Sequence, residues 1–172
     1  MDTHITKGLV FLTDLTGFGR LIKGMDLARL VDTLGRFAVL TQRHVEGAGG
    51  TVVKYLGDSA LGYFPASQVD AGVAALIALK RETEATLEVA GSYPHLRVGA
   101  HYGEFAVAAL PPVAIEDIHG DTVNIAASLG SGGQNSHRGR MVISPAAFRA
   151  LSPESRKSFH KFTEPIVYLA EV

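Results

Sequence analysis

Residues 52–64, "VVKYLGDSALGYF", join two β-prone apolar runs through a Gly-Asp-Ser turn, which is the pattern of a β-hairpin. Lys54 interrupts the first run, and Asp58 stands at the tip of the turn. A lysine in a strand usually keeps its ammonium group in water, and an aspartate in a turn usually stabilises that turn. The hairpin is therefore predicted, whereas a functional role for either charge needs support from the rest of the chain.

The segments around this hairpin alternate between strand and helix patterns. Strands are predicted at 8–15, within the hairpin at 51–64, at 95–110 with a Gly-centred turn in "HYGE", at 140–144 and at 164–172. Helices are predicted at 19–46, at 70–90, at 120–130 and after Ser144, which caps a helix with Pro145 in its first position. The order predicts an α+β fold: a ferredoxin-like βαββαβ core with a C-terminal β-α-β extension. Its central sheet is expected to be mostly antiparallel, with helices packed on one face.

Length and composition predict one globular domain, residues 1–172, with a formal net charge of −1. That charge gives no general attraction to nucleic acid or to anionic membranes. The absence of cysteine excludes disulfides and thiolate chemistry. No apolar run approaches the roughly 18 residues that a membrane span needs, so we expect a cytoplasmic location. The chain could also be a module of a longer protein, and a regulatory domain could be fused to it or separate.

Two aspartates are candidate metal ligands. Asp14 ends the first apolar strand and Asp58 lies at the hairpin tip, so the topology predicts both at one end of neighbouring strands. Mg²⁺ prefers oxygen ligands and commonly binds one or two carboxylates together with substrate phosphates. The turn at Thr16 and Gly17 could offer backbone amides to such phosphates. Alternatively, Asp14 caps a helix and Asp58 only forms a turn.

Five segments in order resemble one family. They are "LVFLTDLTGFGRL", "GAGGTVVKYLGDSALGYF", "LRVGAHYGE", "IEDIHGDTVNIAASL" and "TEPIVYLAEV". They are similar to the conserved blocks of the class III nucleotidyl cyclases, the catalytic domain of adenylyl and guanylyl cyclases, and the resemblance covers nearly the whole chain. It implies a single catalytic domain that converts ATP to cyclic AMP and pyrophosphate.

The resemblance also implies residue roles. Asp14 and Asp58 match the aspartates that hold two Mg²⁺ (or Mn²⁺) ions per site. Lys54 and Asp117 match the purine-selecting pair, and Asn124 matches a residue that contacts the ribose. The remaining substrate-binding candidates are Thr16, Gly17 and Phe18 in the first loop and Lys161, which lacks the flanking glycine of the family pattern.

The purine pair has a chemical basis of its own. Lysine only donates hydrogen bonds, which suits adenine N1, and aspartate only accepts them, which suits the adenine amino group. Guanine presents the opposite pattern, so Lys54 and Asp117 favour ATP over GTP. In the family, the aspartates of one subunit meet the purine pair and the asparagine of another. The resemblance therefore implies a homodimer with two symmetric interface sites.

One departure from the family concerns catalysis. Four residues after Asn124, where the family carries a transition-state arginine, this chain has Ser128. Serine cannot supply a guanidinium, and losing one such donor typically lowers kcat by about 10²–10³-fold. Arg138 and Arg140, in the Gly-rich segment 130–140, are candidate substitutes.

The sequence is consistent with three functions. The chain could be an adenylate cyclase, slow because of Ser128. It could be a catalytically degenerate cyclase-homology domain that binds nucleotide or dimerises as a regulatory module. It could also be another nucleotide-binding ferredoxin-like protein, such as a polymerase-palm relative, although the pairing of Lys54 with Asp117 argues against that.

Overall fold

A computed structural model describes residues 3–112, 115–131, 140–163, 166–170 and 172. The strands are β1 (Thr3–Leu15), β2 (Thr51–Leu56), β3 (Ser59–Pro65), β4 (Leu96–Ala109), β5 (Glu116–His119), β6 (Met141–Ile143), β7 (His160–Thr163) and β8 (Ile166–Ala170). The helices are α1 (Phe18–Leu21), α2 (Leu27–Gly47), α3 (Val69–Thr86), α4 (Asp121–Gly130), α5 (Pro145–Ala150) and α6 (Pro153–Arg156). Within these ranges, no helix combines the length and apolarity needed to cross a membrane.

The strands form one sheet in the order β2-β3-β1-β4-β6-β8-β7, and β5 pairs with the end of β4. β1 is central and pairs antiparallel with both β3 and β4, while β4 and β6 run parallel. The predicted fold class is confirmed: β1, α2, β2, β3, α3 and β4 form the βαββαβ core, and the later elements extend the sheet beyond β4.

Alternating side chains of β1 separate two apolar layers. Leu9 and Phe11 face the long helices and pack with residues such as Phe37 of α2. Val10 faces the opposite side, where it belongs to a second cluster with Ala126 of α4. Since neighbouring strand residues point to opposite faces, α2 and α3 cover one face and the short α4 lies against the other.

Segment 95–110 differs from its prediction. It forms one continuous strand, Leu96–Ala109, rather than two strands around a turn, because the thirteen-residue β1 pairs with it along its whole length. Gly103 is nevertheless needed, since a Cβ atom there would collide with the hydroxyl of Thr122 in α4. This glycine marks the close approach of a helix to the strand.

The predicted helix at 19–46 is interrupted. The first short helix ends at Leu21, Gly24 in the following turn takes a left-handed conformation (φ +79°), and Asp26 then caps α2 by accepting a 2.7 Å hydrogen bond from the Ala28 N–H. The helix predicted at 70–90 ends at Thr86. β5, β7 and α6 have four residues each, too few for a periodic pattern to indicate them.

Candidate active site

Asp14 and Asp58 lie at the same end of the adjacent strands β1 and β3. Asp14 is paired with Ser59, the first residue of β3, and accepts a 3.0 Å hydrogen bond from the Ser59 hydroxyl. Asp58 immediately precedes Ser59, and its carbonyl accepts from the Leu15 N–H at 3.3 Å. The antiparallel register therefore brings the two predicted metal ligands together.

The carboxylate of Asp58 is affected by burial and by the charge of Asp14. Burial raises the pKa of Asp58, and the nearby charge of Asp14 raises it further, while a backbone hydrogen bond opposes both effects. A cation between them would relieve this repulsion. In the described part of the chain, no group of three or more His, Cys, Asp or Glu side chains could hold a metal. Two carboxylates fit a Mg²⁺ or Mn²⁺ ion whose other ligands come from substrate phosphates and water.

Arg97 is a member of this site that the sequence reasoning missed. It pairs with Asp14 across β1 and β4, and its Nη1 lies 3.6 Å from Asp14 Oδ2. Its side chain is 8% exposed, and its buried Nε has no hydrogen-bond partner among the described residues. A charged residue within the apolar run "LRVGA" was the available signal, because arginine is rarely buried without a partner.

The loop after Asp14 holds the three predicted loop residues. The Thr16 N–H donates to the carbonyl of His95 at 2.8 Å, and the Thr16 hydroxyl is buried without a described partner. Gly17 has φ +75°, a conformation that favours glycine. The Phe18 side chain lies in the core, so this residue could contact a ligand only through its backbone.

Lys54 and Asp117 form an ion pair between β2 and β5. Burial raises the pKa of Asp117, but hydrogen bonds from Lys54 and the Ile118 N–H, with the charge of Lys54, outweigh burial and lower it below its ordinary value. Asp117 is therefore ionised at neutral pH. The pair lines a groove of about 330 Å³. Its walls also include Val53, Leu110, Pro111, Ile115, Glu116 and His119.

Asn124 and Ser128 are exposed and lie one turn apart on α4. A 2.6 Å hydrogen bond from the Thr122 hydroxyl to the Glu104 carbonyl ties the first turn of this helix to β4. Ser128 thus occupies the same helix face as Asn124, as the sequence predicts. Of the candidate substitute arginines, Arg138 lies outside the described residues, and Arg140 precedes β6 with its carbonyl bound to the Val98 N–H.

Lys161 is not brought to this region within one chain. It is exposed on β7, the edge strand at the opposite end of the sheet from β2. Four strand steps separate β7 from β1, which corresponds to about 19 Å across the sheet. A triphosphate role for Lys161 at the Asp14 end of the same chain is therefore not supported by its position.

The chain is similar to known proteins in both sequence and structure. No protein-family model matches the chain. An adenylate cyclase from Streptomyces coelicolor is 37% identical over 132 residues, which is 76% of this chain. The chain spans 30% of the length of that relative.

Two solved structures show the same fold. The adenylyl cyclase CyaB from P. aeruginosa is 20% identical with a TM-score of 0.82, and the match covers 100% of this chain and 97% of that one. The guanylate cyclase domain of RhGC from Catenaria anguillulae, solved in complex with GTP, is 19% identical with a TM-score of 0.82, covering 100% and 99% of the two chains.

Proposed function

Because the chain belongs to the class III nucleotidyl cyclase family, we propose that it is the catalytic domain of an adenylate cyclase, which converts ATP to 3′,5′-cyclic AMP and pyrophosphate. The observation that carries the choice of ATP is the contact between Lys54 and Asp117 at a groove. A donor beside an acceptor matches the N1 and amino groups of adenine and mismatches guanine.

The reaction is an in-line substitution at the α-phosphorus of ATP. The ribose 3′-hydroxyl gives its proton to water and its oxygen attacks that phosphorus, the bond to the oxygen that bridges to the β-phosphate breaks, and pyrophosphate leaves with that oxygen. Asp14 and Asp58 are the residues that would hold the divalent cations. When bound, two such ions polarise the α-phosphate and favour the ionised 3′-oxygen.

The remaining side chains position the substrate and balance its charge. Arg97 is a nearly buried positive charge 3.6 Å from the Asp14 carboxylate, so it would hold that carboxylate in place and offset part of the negative charge gathered there. Asn124, exposed on α4, would orient the ribose by hydrogen bonding. Ser128 supplies no positive charge one turn later, so turnover is expected to be slow.

A complete site would need two copies of the chain. Among the described residues, the hydrogen bonds and ion pairs of Asp14 and Asp58 do not reach Lys54 or Asp117. Beside the groove, Leu110 and Ile115 are exposed by 50% and 72%. A symmetric homodimer would cover this apolar surface and bring the carboxylates of one protomer to the purine pair of its partner.

Ser128 favours a second candidate function, a cyclase-homology domain that binds nucleotide or dimerises without turnover and acts as a regulatory module. This alternative keeps the groove and the carboxylates but gives the domain no product. The two functions differ in chemistry and share a ligand, so one experiment separates them.

The test is to incubate purified protein with ATP and Mg²⁺ or Mn²⁺ and to measure cyclic AMP. The Asp14→Ala variant should form none, and Glu154→Ala, a change in an exposed ion pair on α6, should match the wild type. Product equal to the Asp14→Ala background would refute the cyclase. Metal-dependent ATP binding without product would instead establish the regulatory function.

A further inference from the structure

α3 carries a buried ion pair that the proposed reaction does not use. Lys80 has only 1% of its side chain exposed and donates to Glu84 one turn later. A lysine removed from water needs a charged partner. Glu84 satisfies this need, but it also makes contacts outside its own helix.

Those further contacts of Glu84 lie at the beginning of β4. Its Oε1 accepts a 2.9 Å hydrogen bond from the Leu96 N–H, and its Oε2 lies 3.5 Å from Nδ1 of His95. One carboxylate therefore joins a buried ammonium group to the backbone at the point where β4 enters the sheet.

Three consecutive residues connect this point to the candidate active site. The His95 carbonyl accepts from the Thr16 N–H at 2.8 Å, Leu96 pairs with Leu15, and Arg97 contacts Asp14. Leu96, whose N–H is bound by Glu84, therefore lies between His95, which contacts the loop, and Arg97, which contacts a candidate metal ligand. A shift of β4 at this position would move both.

We propose that Glu84 is a positioning residue for the reaction: through the Leu96 amide it fixes His95 and Arg97, and through them the loop at Thr16 and the carboxylate of Asp14. This inference rests on the proposed cyclase function for its kinetic consequence only. The structural link itself can be measured without any turnover.

Stability alone does not account for this arrangement. A buried ion pair is generally no more stabilising than apolar residues of similar volume, and the first residues of β4 could be held by packing alone. A carboxylate that accepts a hydrogen bond from a strand N–H restricts the position of that strand more than apolar packing does, because hydrogen bonds depend on distance and angle. The acceptor atom, rather than the negative charge, should carry the positioning role.

The experiment tests whether Glu84 acts as a hydrogen-bond acceptor or through its negative charge. Lys80 is replaced in every double variant, so that no buried ammonium group is left without a partner. Removing Glu84 alone would leave Lys80 unpaired and could prevent folding, so both residues are changed. Lys80→Met/Glu84→Gln keeps an oxygen acceptor for the Leu96 amide, and Lys80→Met/Glu84→Leu removes it. Glu82→Gln is the matched control, since Glu82 is on the same helix but pairs with Arg43 and His44 of α2.

Amide hydrogen exchange of the full chain is the first readout. We expect Thr16 and Leu96 to exchange about three- to tenfold faster in Lys80→Met/Glu84→Leu than in Lys80→Met/Glu84→Gln, the usual effect of one lost hydrogen bond. Exchange at Phe11, in the middle of β1, should be equal in the two. Equal exchange at Thr16 and Leu96 in both double variants would overturn the proposal, whether or not the protein is a cyclase.

Steady-state kinetics are the second readout. The leucine variant should lose about three- to tenfold in kcat with an unchanged KM for ATP, and the glutamine variant and Glu82→Gln should keep the kcat of the wild type. A lower kcat in the glutamine variant equal to that of the leucine variant would show that the hydrogen-bond acceptor does not position the site. An inactive wild type with the predicted exchange difference would refute the cyclase function and leave the structural link established.

Discussion

In the groove, Lys54 can only donate hydrogen bonds and Asp117 can only accept them. Exchanging donor for acceptor in the variant Lys54→Glu/Asp117→Cys presents a pattern that suits guanine N1 and O6. We expect the ratio of GTP to ATP turnover to rise by about tenfold or more, because a hydrogen-bonding group that loses water on binding and finds no partner weakens binding. The measurement is kcat/KM for both nucleotides, and a ratio unchanged from the wild type would show that this pair does not read the base.

Ser128 gives a second prediction at this scale. The variant Ser128→Arg places a guanidinium one turn from Asn124 on the exposed face of α4. If the missing charge limits the reaction, kcat should rise by about 10–100-fold with little change in KM, since a transition-state donor acts on the chemical step. Ser128→Gln, which adds a neutral polar side chain, is the control for added bulk without charge. A guanidinium that leaves kcat at the wild-type value would mean that another group already supplies the charge.

Individual site residues differ in how far sequence could predict them. Asp14 and Asp58 follow from their positions at strand ends, and their proximity follows from the register of β1 and β3. Arg97 is invisible as a site residue until the pairing of β1 with β4 is known, because its contact with Asp14 spans 83 positions of the chain. Phe18 is the opposite case, because it looks like a loop residue in the sequence but packs its side chain in the apolar core.

At the scale of elements, α4 is placed by two glycines. A Cβ atom on Gly99 of β4 would lie 2.6 Å from the Cα of Gly130, and one on Gly130 would lie 2.7 Å from the Leu12 carbonyl oxygen. Gly99→Ala should therefore push α4 away, lower the free energy of unfolding by about 1–3 kcal/mol and reduce kcat, because α4 carries Asn124.

The matched control for this change is Gly35→Ala in the middle of α2. Outside its own helix, an added Cβ at Gly35 would meet no atom of the described residues within 4 Å, so alanine should stabilise the protein by up to about 1 kcal/mol through helix propensity alone. Urea unfolding of both variants measures the difference. Equal stability of Gly99→Ala and the wild type would show that the contact between α4 and the sheet is loose.

Element types could largely be predicted from sequence, whereas their extents could not. The hairpin and the two long helices have local signals: a Gly-Asp turn, and apolar residues at helical spacing. The unbroken length of β4 depends on β1, a partner about ninety residues away, and local pattern cannot show it. Gly103 in "HYGE" is consistent either with a turn or with the close approach of another element to the strand. Only the position of α4 shows that the second reading is correct.

Within a single molecule, the Lys54–Asp117 pair and the two candidate metal-binding carboxylates lie at different places on the sheet. Lys54 precedes Asp58 by four residues along the hairpin, which corresponds to about 13 Å in an extended strand. The purine pair lies where β2 approaches β5, and the carboxylates lie at the turn beyond β2. A nucleotide held at both places would have to extend along the hairpin in one chain, or lie between two chains.

Mixing inactive variants distinguishes these two arrangements. Asp14→Ala lacks the carboxylate half and Lys54→Ala the purine half, so each alone should be inactive. When equal amounts exchange subunits, half of the dimers are mixed and one of the two sites in each mixed dimer is intact, which restores about one quarter of the wild-type activity. Mixing Asp14→Ala with Asp58→Ala should restore nothing, because both changes damage the same half. Recovery in neither mixture, with subunit exchange verified by native mass spectrometry, would place the whole site within one chain.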